Sequence, residues 1–286
     1  MWTRVVGAAF RGRVTRSVES FFGALGEAGV QAIPVTSPNQ SDGFQAAIRE
    51  VLRVGHAGAA IRIPVSLIHT GKASGELQAL TAHLSVEPAE VDILVEYGLV
   101  DGVQPPSFNY VCHRLPEVLY SRTFTVLAGS FPPDLTGLKG PAQYELPRLE
   151  WTSWSTEITR SDDLPRRPSF GDYTVQHPVY REPVEGANTS ASIRYASDDY
   201  WVVMRGEGLR NPGSPGHAQY VGNAQLLCQR KEFNGPQFSA GDDYIWKIAS
   251  GRDPRFGNPE TWIRAGINHH LVFAARQVQS AVSAAV

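Results

Sequence analysis

The chain has 286 residues, 42% of them hydrophobic, and a formal net charge of -2. This length permits one large domain or two small ones, with a sizeable core. The balanced charge, without runs of one sign, argues against a bulk polyanion-binding surface. The two cysteines, Cys112 and Cys228, give no disulfide framework and are typical of a reducing cytoplasm.

Targeting and membrane signals are not found in the sequence. No stretch approaches the roughly 18 apolar residues of a membrane-spanning helix. Arginines interrupt the N-terminal apolar stretch at positions 4, 11 and 13, which does not fit a secretion signal. The sequence therefore predicts a cytoplasmic protein without a membrane partner.

Short apolar runs alternate with amphipathic segments through the first half of the chain. Strands are predicted at 4–10, 30–36, 58–65, 90–98 and 122–131. Helices are predicted at 17–29, 41–55, 74–84 and 107–115, the last ending near Pro116. Apolar strands alternating with helices indicate a parallel sheet covered on both faces, either a closed barrel or an open doubly wound sheet.

The pattern changes after residue 131. Residues 132–169 are rich in proline and carry the aromatic patch EWTSW at 150–154, which predicts an irregular excursion from a single domain spanning residues 1–286. Strands resume at 170–178, 191–197 and 200–206, and Asp198-Asp199 between the last two predicts an antiparallel hairpin. Helical segments are predicted at 215–230, 240–250 and 260–282.

Several phrases, taken together, resemble the bacteriophage-type beta protein family. They are RTFTVLAGSFP, FGDYTVQHP, SIRYASDDYWVVMRG, FSAGDDYI and WIRAGINHHLVFAARQ, and the resemblance runs from residue 30 to residue 280. It implies a TIM-barrel-like (β/α) barrel with an antiparallel hairpin and C-terminal helices. Family members occur in phages and bacteria, which suggests a role in phage–host conflict or defence, and the family's activity is unassigned.

The resemblance also implies a difference at the N-terminus. Family members carry further strands before the one predicted at 4–10. The barrel of this chain is therefore expected to be incomplete at its N-terminus, or to be closed by another segment.

Polar residues lie in or just after the predicted strands, where parallel α/β folds bind ligands at the strands' carboxyl ends. The candidate ligand-binding residues are Arg62, Arg194, Arg205 and Tyr173, and the candidate catalytic residues are Glu96, Asp172 and His177. Guanidinium groups suit phosphate, so a nucleotide or a phosphodiester is the expected ligand. In the alternative interpretation the arginines only pair with carboxylates inside the barrel, Arg62 with Glu96 and Arg194 with Asp172.

Motifs for other chemistries are weak. Glu96, Asp172 and His177 could hold a metal, but the sequence has no HxH, HExxH or CxxC motif, so no metal is assigned. It has neither a dinucleotide fingerprint nor a P-loop, and the cofactor stays unknown.

Two adjacent histidines, His269 and His270, lie inside the apolar C-terminal helix. Neighbouring residues of a helix do not share a face, so the pair is not expected to chelate one metal. We expect each ring to make its own hydrogen bond, because a buried histidine needs satisfied nitrogens.

Two functional classes remain open, and the sequence does not decide whether the protein is an enzyme. In the first class it is an enzyme or sensor with an anion site at the strand ends, and its phosphate-containing ligand could be nucleic acid. In the second class it is a non-catalytic binding or assembly component of a phage or defence complex. The exposed aromatic patch of Trp151 and Trp154, together with the proline-rich excursion, would then contact a protein partner.

Overall fold

A computed structural model describes residues 14–55, 57–102, 105, 107–161, 163–182 and 186–284. The chain divides into two compact units. The first consists of Met1–Gly98, Val103–Ala128 and Arg160–Gly171, and the second of Leu99–Gly102, Gly129–Thr159 and Asp172–Val286. The single domain predicted for residues 1–286 stays a prediction.

The first unit alternates helices with strands, as the sequence predicts. Its helices are α1 (Val14–Glu27), α2 (Asp42–Gly55), α3 (Val65–His69), α4 (Ala73–Leu84) and α5 (Phe108–Arg114). Its strands are β1 (Val35–Thr36), β2 (Ala59–Pro64), β3 (Val91–Leu99) and β4 (Thr123–Gly129), and β6 (Ser169–Asp172) follows β5 (Ala142–Pro147) of the second unit. The strand predicted at 4–10 lies outside the described residues.

Helix α2 illustrates why these segments form where the sequence predicts them. Phe44, Ile48 and Leu52 recur at helical spacing, and all three are buried. Asp42 in the first turn and Arg53 in the last turn complement the helix dipole. No helix within the described ranges is long and apolar enough to span a bilayer.

The strands of the first unit form a sheet in the order β1-β2-β3-β4-β6. β1 pairs with β2, and β2 with β3, in parallel, which confirms the α/β class. β1 is shorter than the predicted strand at 30–36, since Pro34 has no backbone N–H to donate and Val30 is exposed. Within the described residues neither sheet of the protein closes on itself, so the closed TIM-type barrel stays a prediction.

The second unit combines an antiparallel sheet with helices. Its strands are β5, β7 (Ile193–Ala196) and β8 (Tyr200–Arg205), in the order β5-β8-β7. Its helices are α6 (Leu149–Arg160), α7 (Gln219–Cys228), α8 (Ala240–Ala249) and α9 (Pro259–Ala284). The predicted hairpin is confirmed, because β7 and β8 pair antiparallel with Ala196 opposite Trp201.

Both faces of the antiparallel sheet are buried. The first, called here the Tyr195 face, packs against the helices through Ile193, Tyr195, Val202, Met204, Tyr220 and Trp262. The second, called the Trp201 face, packs Ala196, Trp201, Val203, Phe131 and Val175. Because side chains alternate along a strand, Arg194 and Arg205 belong to the Trp201 face.

Helix α9 covers the outer edge of β7. The backbone N–H of Ser197 donates to the carbonyl of Tyr200, so the carbonyls of Arg194 and Ala196 point away from β8. Gly266 allows the close approach, since a Cβ there would lie 2.5 Å from the carbonyl oxygen of Arg194. An edge that would otherwise be open to a foreign strand is thus covered by a helix.

The proline-rich segment 132–169 is more regular than the sequence predicts. It contains β5 and α6, and β5 pairs antiparallel with β8. Trp151 and Trp154 are 7% and 3% exposed and stack on each other, so the prediction of an exposed aromatic patch is wrong. The sequence does not predict this strand, because β5 is short, is mostly exposed and has little alternation of apolar and polar residues.

Candidate functional site

In the first unit the structure brings two predicted site residues together. Arg62 of β2 donates through Nη2 to the Glu96 carboxylate of β3, and both side chains are partly buried. The two strands are adjacent and parallel, which places residues near their carboxyl ends side by side. The pairing of Arg62 with Glu96 that the alternative interpretation predicts is therefore confirmed.

Three predicted residues belong to the turn that follows β6 in the second unit. Asp172 ends the strand, and its Oδ1 accepts a hydrogen bond from the backbone N–H of Thr174 at 2.9 Å. Tyr173 packs against Gly129, where a Cβ would come within 3.0 Å of the Tyr173 ring. Further along, Nδ1 of His177 accepts from the backbone N–H of Val179 at 3.0 Å, a local turn contact.

The remaining predicted residues, Arg194 and Arg205, both project from the Trp201 face. Nη1 of Arg194 donates to the carbonyl of Val175 at 2.7 Å, and its guanidinium lies 4.6 Å from the centroid of the Phe131 ring. Arg205 donates through Nε to the carbonyl of Leu138 at 3.2 Å and through Nη1 to Oγ of Ser192 at 3.3 Å. Arg194 therefore contacts a neutral oxygen and an aromatic ring, and Arg205 contacts two neutral oxygens.

The electrostatics of this arginine pair are unusual for partly buried side chains. In the part of the chain that the structure describes, neither guanidinium forms an ion pair with a carboxylate. Burial, together with the positive charge of Arg205, lowers the pKa of Arg194 to about 10. Burial also lowers the pKa of Arg205. Uncompensated cations in a partly buried setting favour an anion as a partner.

Asp172 does not pair with Arg194, so that part of the alternative interpretation is wrong. Its Oδ2 accepts instead from Nε2 of His270 at 2.6 Å, and His270 is 1% exposed. Burial alone would raise the pKa of Asp172, but the bond and charge of His270 and the Thr174 N–H lower it. The His270 ring lies 5.0 Å from that of Trp201, on the same face as the arginine pair.

Sequence reasoning missed a buried ion pair, Arg148 with Glu150. Arg148 is fully buried and donates through Nη1 to the Ser197 carbonyl and the Gln277 side chain, each at 2.7 Å. Burial lowers the pKa of Arg148 and raises that of Glu150, although the two charges attract. In the sequence, the two residues are only a charged pair close to Pro147. Such a pair has no periodic pattern from which its burial could be predicted.

His269 belongs to a second buried network, on the Tyr195 face. Its Nδ1 lies 2.9 Å from Oδ2 of Asp242, and its Nε2 donates to the carbonyl of Ala196 at 3.0 Å. The Tyr195 hydroxyl donates to Asp242 at 2.7 Å and its ring stacks on His269. The prediction that each histidine makes its own hydrogen bond is confirmed.

A metal centre is not formed by the described residues. Among them, no group of three or more histidine, cysteine, aspartate or glutamate side chains could hold a metal ion. The candidate functional site consists of the two partly buried guanidinium groups of Arg194 and Arg205, which donate to neutral oxygens, and the neighbouring turn.

Comparisons with known proteins identify a family. A family model described as Beta protein matches residues 13–276. No curated protein and no solved structure matches the chain at a significant level.

Proposed function

The chain belongs to the Beta protein family, and we propose that its second unit binds an anionic ligand at the Trp201 face. Arg194 and Arg205 hold the anion in this proposal, and the ligand is a nucleotide or a phosphodiester. The sequence alone already makes both arginines candidate ligand-binding residues.

One observation carries the proposal: the arginine pair has no carboxylate partner among the described residues, whereas other arginines of the same unit do. Arg148 is paired with Glu150, and Arg230 with Glu145 and Glu232. Burying a cation without compensation is costly, so such a pair is unexpected in a purely structural role. An anion held between the two guanidinium groups would supply the missing charge.

Phosphate suits a guanidinium group better than a spherical anion does. A guanidinium presents parallel N–H donors that match two phosphate oxygens. Both side chains are already held in place by neutral acceptors, Arg194 by Val175 and Arg205 by Leu138 and Ser192. Prior positioning of this kind lowers the entropy cost of binding.

The proposal is limited to binding and assigns no reaction. Asp172 is the last residue of β6, and its carboxylate is engaged by His270. Glu96 lies in the first unit, where Arg62 neutralises it. The catalytic roles of Glu96, Asp172 and His177 and the ligand-binding roles of Arg62 and Tyr173 stay predictions.

The alternative, a non-catalytic assembly component, loses the aromatic part of its expected contact surface, whereas the proline-rich segment 132–169 stays a predicted contact. Trp151 and Trp154 were to contact the partner, and both are buried. A TIM-barrel-like fold that is incomplete at its N-terminus, and a role in phage–host conflict, stay predictions that the family resemblance supports.

Isothermal titration of the full chain with pyrophosphate, ATP and a short oligonucleotide tests the proposal. Arg194→Met and Arg205→Met should each weaken binding by roughly tenfold, as expected for losing a charge-assisted hydrogen bond. Arg230→Met removes a neutralised arginine of the same unit and serves as the matched control, with affinity unchanged.

Two results would contradict the proposal. The first is wild-type protein that binds none of the three phosphate compounds. The second is binding that Arg194→Met and Arg205→Met leave intact while both variants remain folded.

A further inference from the structure

We infer that Asp172 and His270 are positioning residues for Arg194, acting through the turn of residues 172–175. This inference rests on the proposed function, since it concerns how the anion site is held in shape. It assigns a role to the Asp172–His270 pair other than acid–base chemistry.

The first contact is between Arg194 and the turn. Among the described residues, the one hydrogen bond of the Arg194 guanidinium is its 2.7 Å donation to the Val175 carbonyl. The Phe131 ring supports one face of the guanidinium at 4.6 Å but does not fix its rotation within that plane. The position of the Val175 carbonyl therefore decides which N–H groups of Arg194 are directed to a ligand.

The turn itself has an unusual backbone conformation. Thr174 has a φ of 58°, in the left-handed region, which is a rare conformation for a β-branched residue. The 2.9 Å hydrogen bond from the Thr174 N–H to Oδ1 of Asp172 closes this turn. A backbone conformation of this kind persists where its surroundings enforce it, and such residues concentrate at functional sites.

Helix α9 lies against both ends of the turn. His270 holds Asp172 at one end through the 2.6 Å bond to Oδ2. Gly266, one helical turn earlier, faces the other end, where a Cβ would lie 3.6 Å from Cγ1 of Val175. Residues four apart share one face of a helix, so the same face of α9 bonds one end of the turn and lies beside the other.

The residues of the site therefore have different roles: Arg194 and Arg205 bind the anion, and Asp172 holds the turn. Asp172 accepts from Thr174 with one oxygen and from His270 with the other, so both oxygens hold the turn. Removing the carboxylate releases Thr174 from its strained conformation. The Val175 carbonyl then no longer fixes the orientation of the Arg194 guanidinium. The affinity for an anion should fall although Arg194 and Arg205 are both present.

The test uses His270→Leu, His270→Gln and Asp172→Ala, each confirmed as folded by circular dichroism. Pyrophosphate affinity is measured by titration, and the Nε–H signal of Arg194, assigned by its loss in Arg194→Lys, is followed by nuclear magnetic resonance. We expect His270→Leu and Asp172→Ala to weaken binding about tenfold and to shift that signal. His270→Gln should restore most of the affinity, because its amide N–H can still donate to Asp172.

Wild-type protein provides a second test that needs no variant to fold. If the turn sets the affinity of the site, ligand binding must stabilise the turn by the same free energy. Saturating pyrophosphate should therefore slow hydrogen exchange at the Thr174 amide.

The outcomes separate the two proposals. Wild-type protein that binds no phosphate compound overturns the proposed function, and this inference with it. Wild-type binding that His270→Leu and Asp172→Ala leave unchanged overturns the inference alone. Equal weakening by His270→Gln and His270→Leu, or unchanged exchange at Thr174, also overturns it and leaves the anion site standing.

Discussion

His269 and His270 are neighbours in the chain, yet their rings bond aspartates on opposite faces of the antiparallel sheet. His269 bonds Asp242 beside Tyr195, and His270 bonds Asp172 beside Trp201. This is possible because α9 runs along the edge of β7, where neighbouring helix residues can reach around either side of the strand. One dipeptide therefore compensates two buried carboxylates.

The first prediction concerns the acid dependence of stability. Burial would raise the pKa of Asp242, but hydrogen bonds from His269, Ser239 and Tyr195 outweigh it and lower that pKa. As the pH falls, the unfolded state binds its proton first, near the ordinary pKa of about 4. The stability that Asp242 contributes is therefore fully present above that value and is lost as the pH falls through the folded-state pKa.

Urea unfolding of wild type and Asp242→Asn between about pH 3 and pH 6 measures this contribution. The difference in unfolding free energy between the two proteins should be largest at pH 6 and should decrease toward pH 3. Curves that stay parallel across the range would count against the assignment.

The second prediction concerns Arg148 and Glu150, whose charges are both disfavoured by burial. Arg148→Met leaves the Glu150 carboxylate buried and uncompensated, and should cost about 3–5 kcal/mol of unfolding free energy. Glu150→Gln leaves the guanidinium in the same situation. The double variant should cost clearly less than the sum of the two single variants. A double-mutant cycle from urea unfolding measures these costs. Additive costs would contradict the prediction.

The third prediction uses two helical glycines as a matched pair. A Cβ on Gly266 would meet the Arg194 carbonyl oxygen at 2.5 Å, so Gly266→Ala should destabilise the protein by roughly 1–3 kcal/mol. Gly222 in α7 has nothing within 4 Å of such a Cβ, so Gly222→Ala should stabilise by about 0.5–1 kcal/mol. Thermal unfolding measures both, and effects of the same sign would mean that α9 does not lie against β7.

The fourth prediction separates a buried tryptophan from a surface patch. Trp154 is 3% exposed, so Trp154→Ala should lower the unfolding free energy by about 3–5 kcal/mol. Tyr120 is 72% exposed, and Tyr120→Ala should change it by less than about 0.5 kcal/mol. Chemical denaturation of the two variants decides the question, since a surface role for Trp154 predicts similar small changes for both.

Local periodicity explains which parts of the fold were predictable. Helix α2 and strands β2 and β3 follow from apolar spacing, because each buries a regular set of side chains. The pairing of Arg62 with Glu96 follows from neighbouring parallel strands. β5 was missed because its pairing with β8 depends on residues far away in sequence rather than on its own pattern.

The site was only partly predictable for the same reason. Arg194 and Arg205 were candidates from the sequence because arginine inside an apolar strand is conspicuous, and their ligand-binding role stays a proposal. The partner of Asp172 lies 98 residues further along the chain, and the sequence offers no way to prefer His270 over the nearer Arg194. The spacing of residues in the sequence predicts which face of a helix or strand is buried. Which side chain then bonds a given residue depends on tertiary packing.

The position of α9 in the chain has a consequence for folding during synthesis. Both aspartates, Asp172 and Asp242, are made before the helix that carries their histidines. Until α9 leaves the ribosome, the second unit has two carboxylates that cannot be buried at low cost and an uncovered β7 edge. Folding of this unit should therefore be completed after its last helix is made, so a chain stalled before residue 259 would be recognised as unfinished by proteases and chaperones.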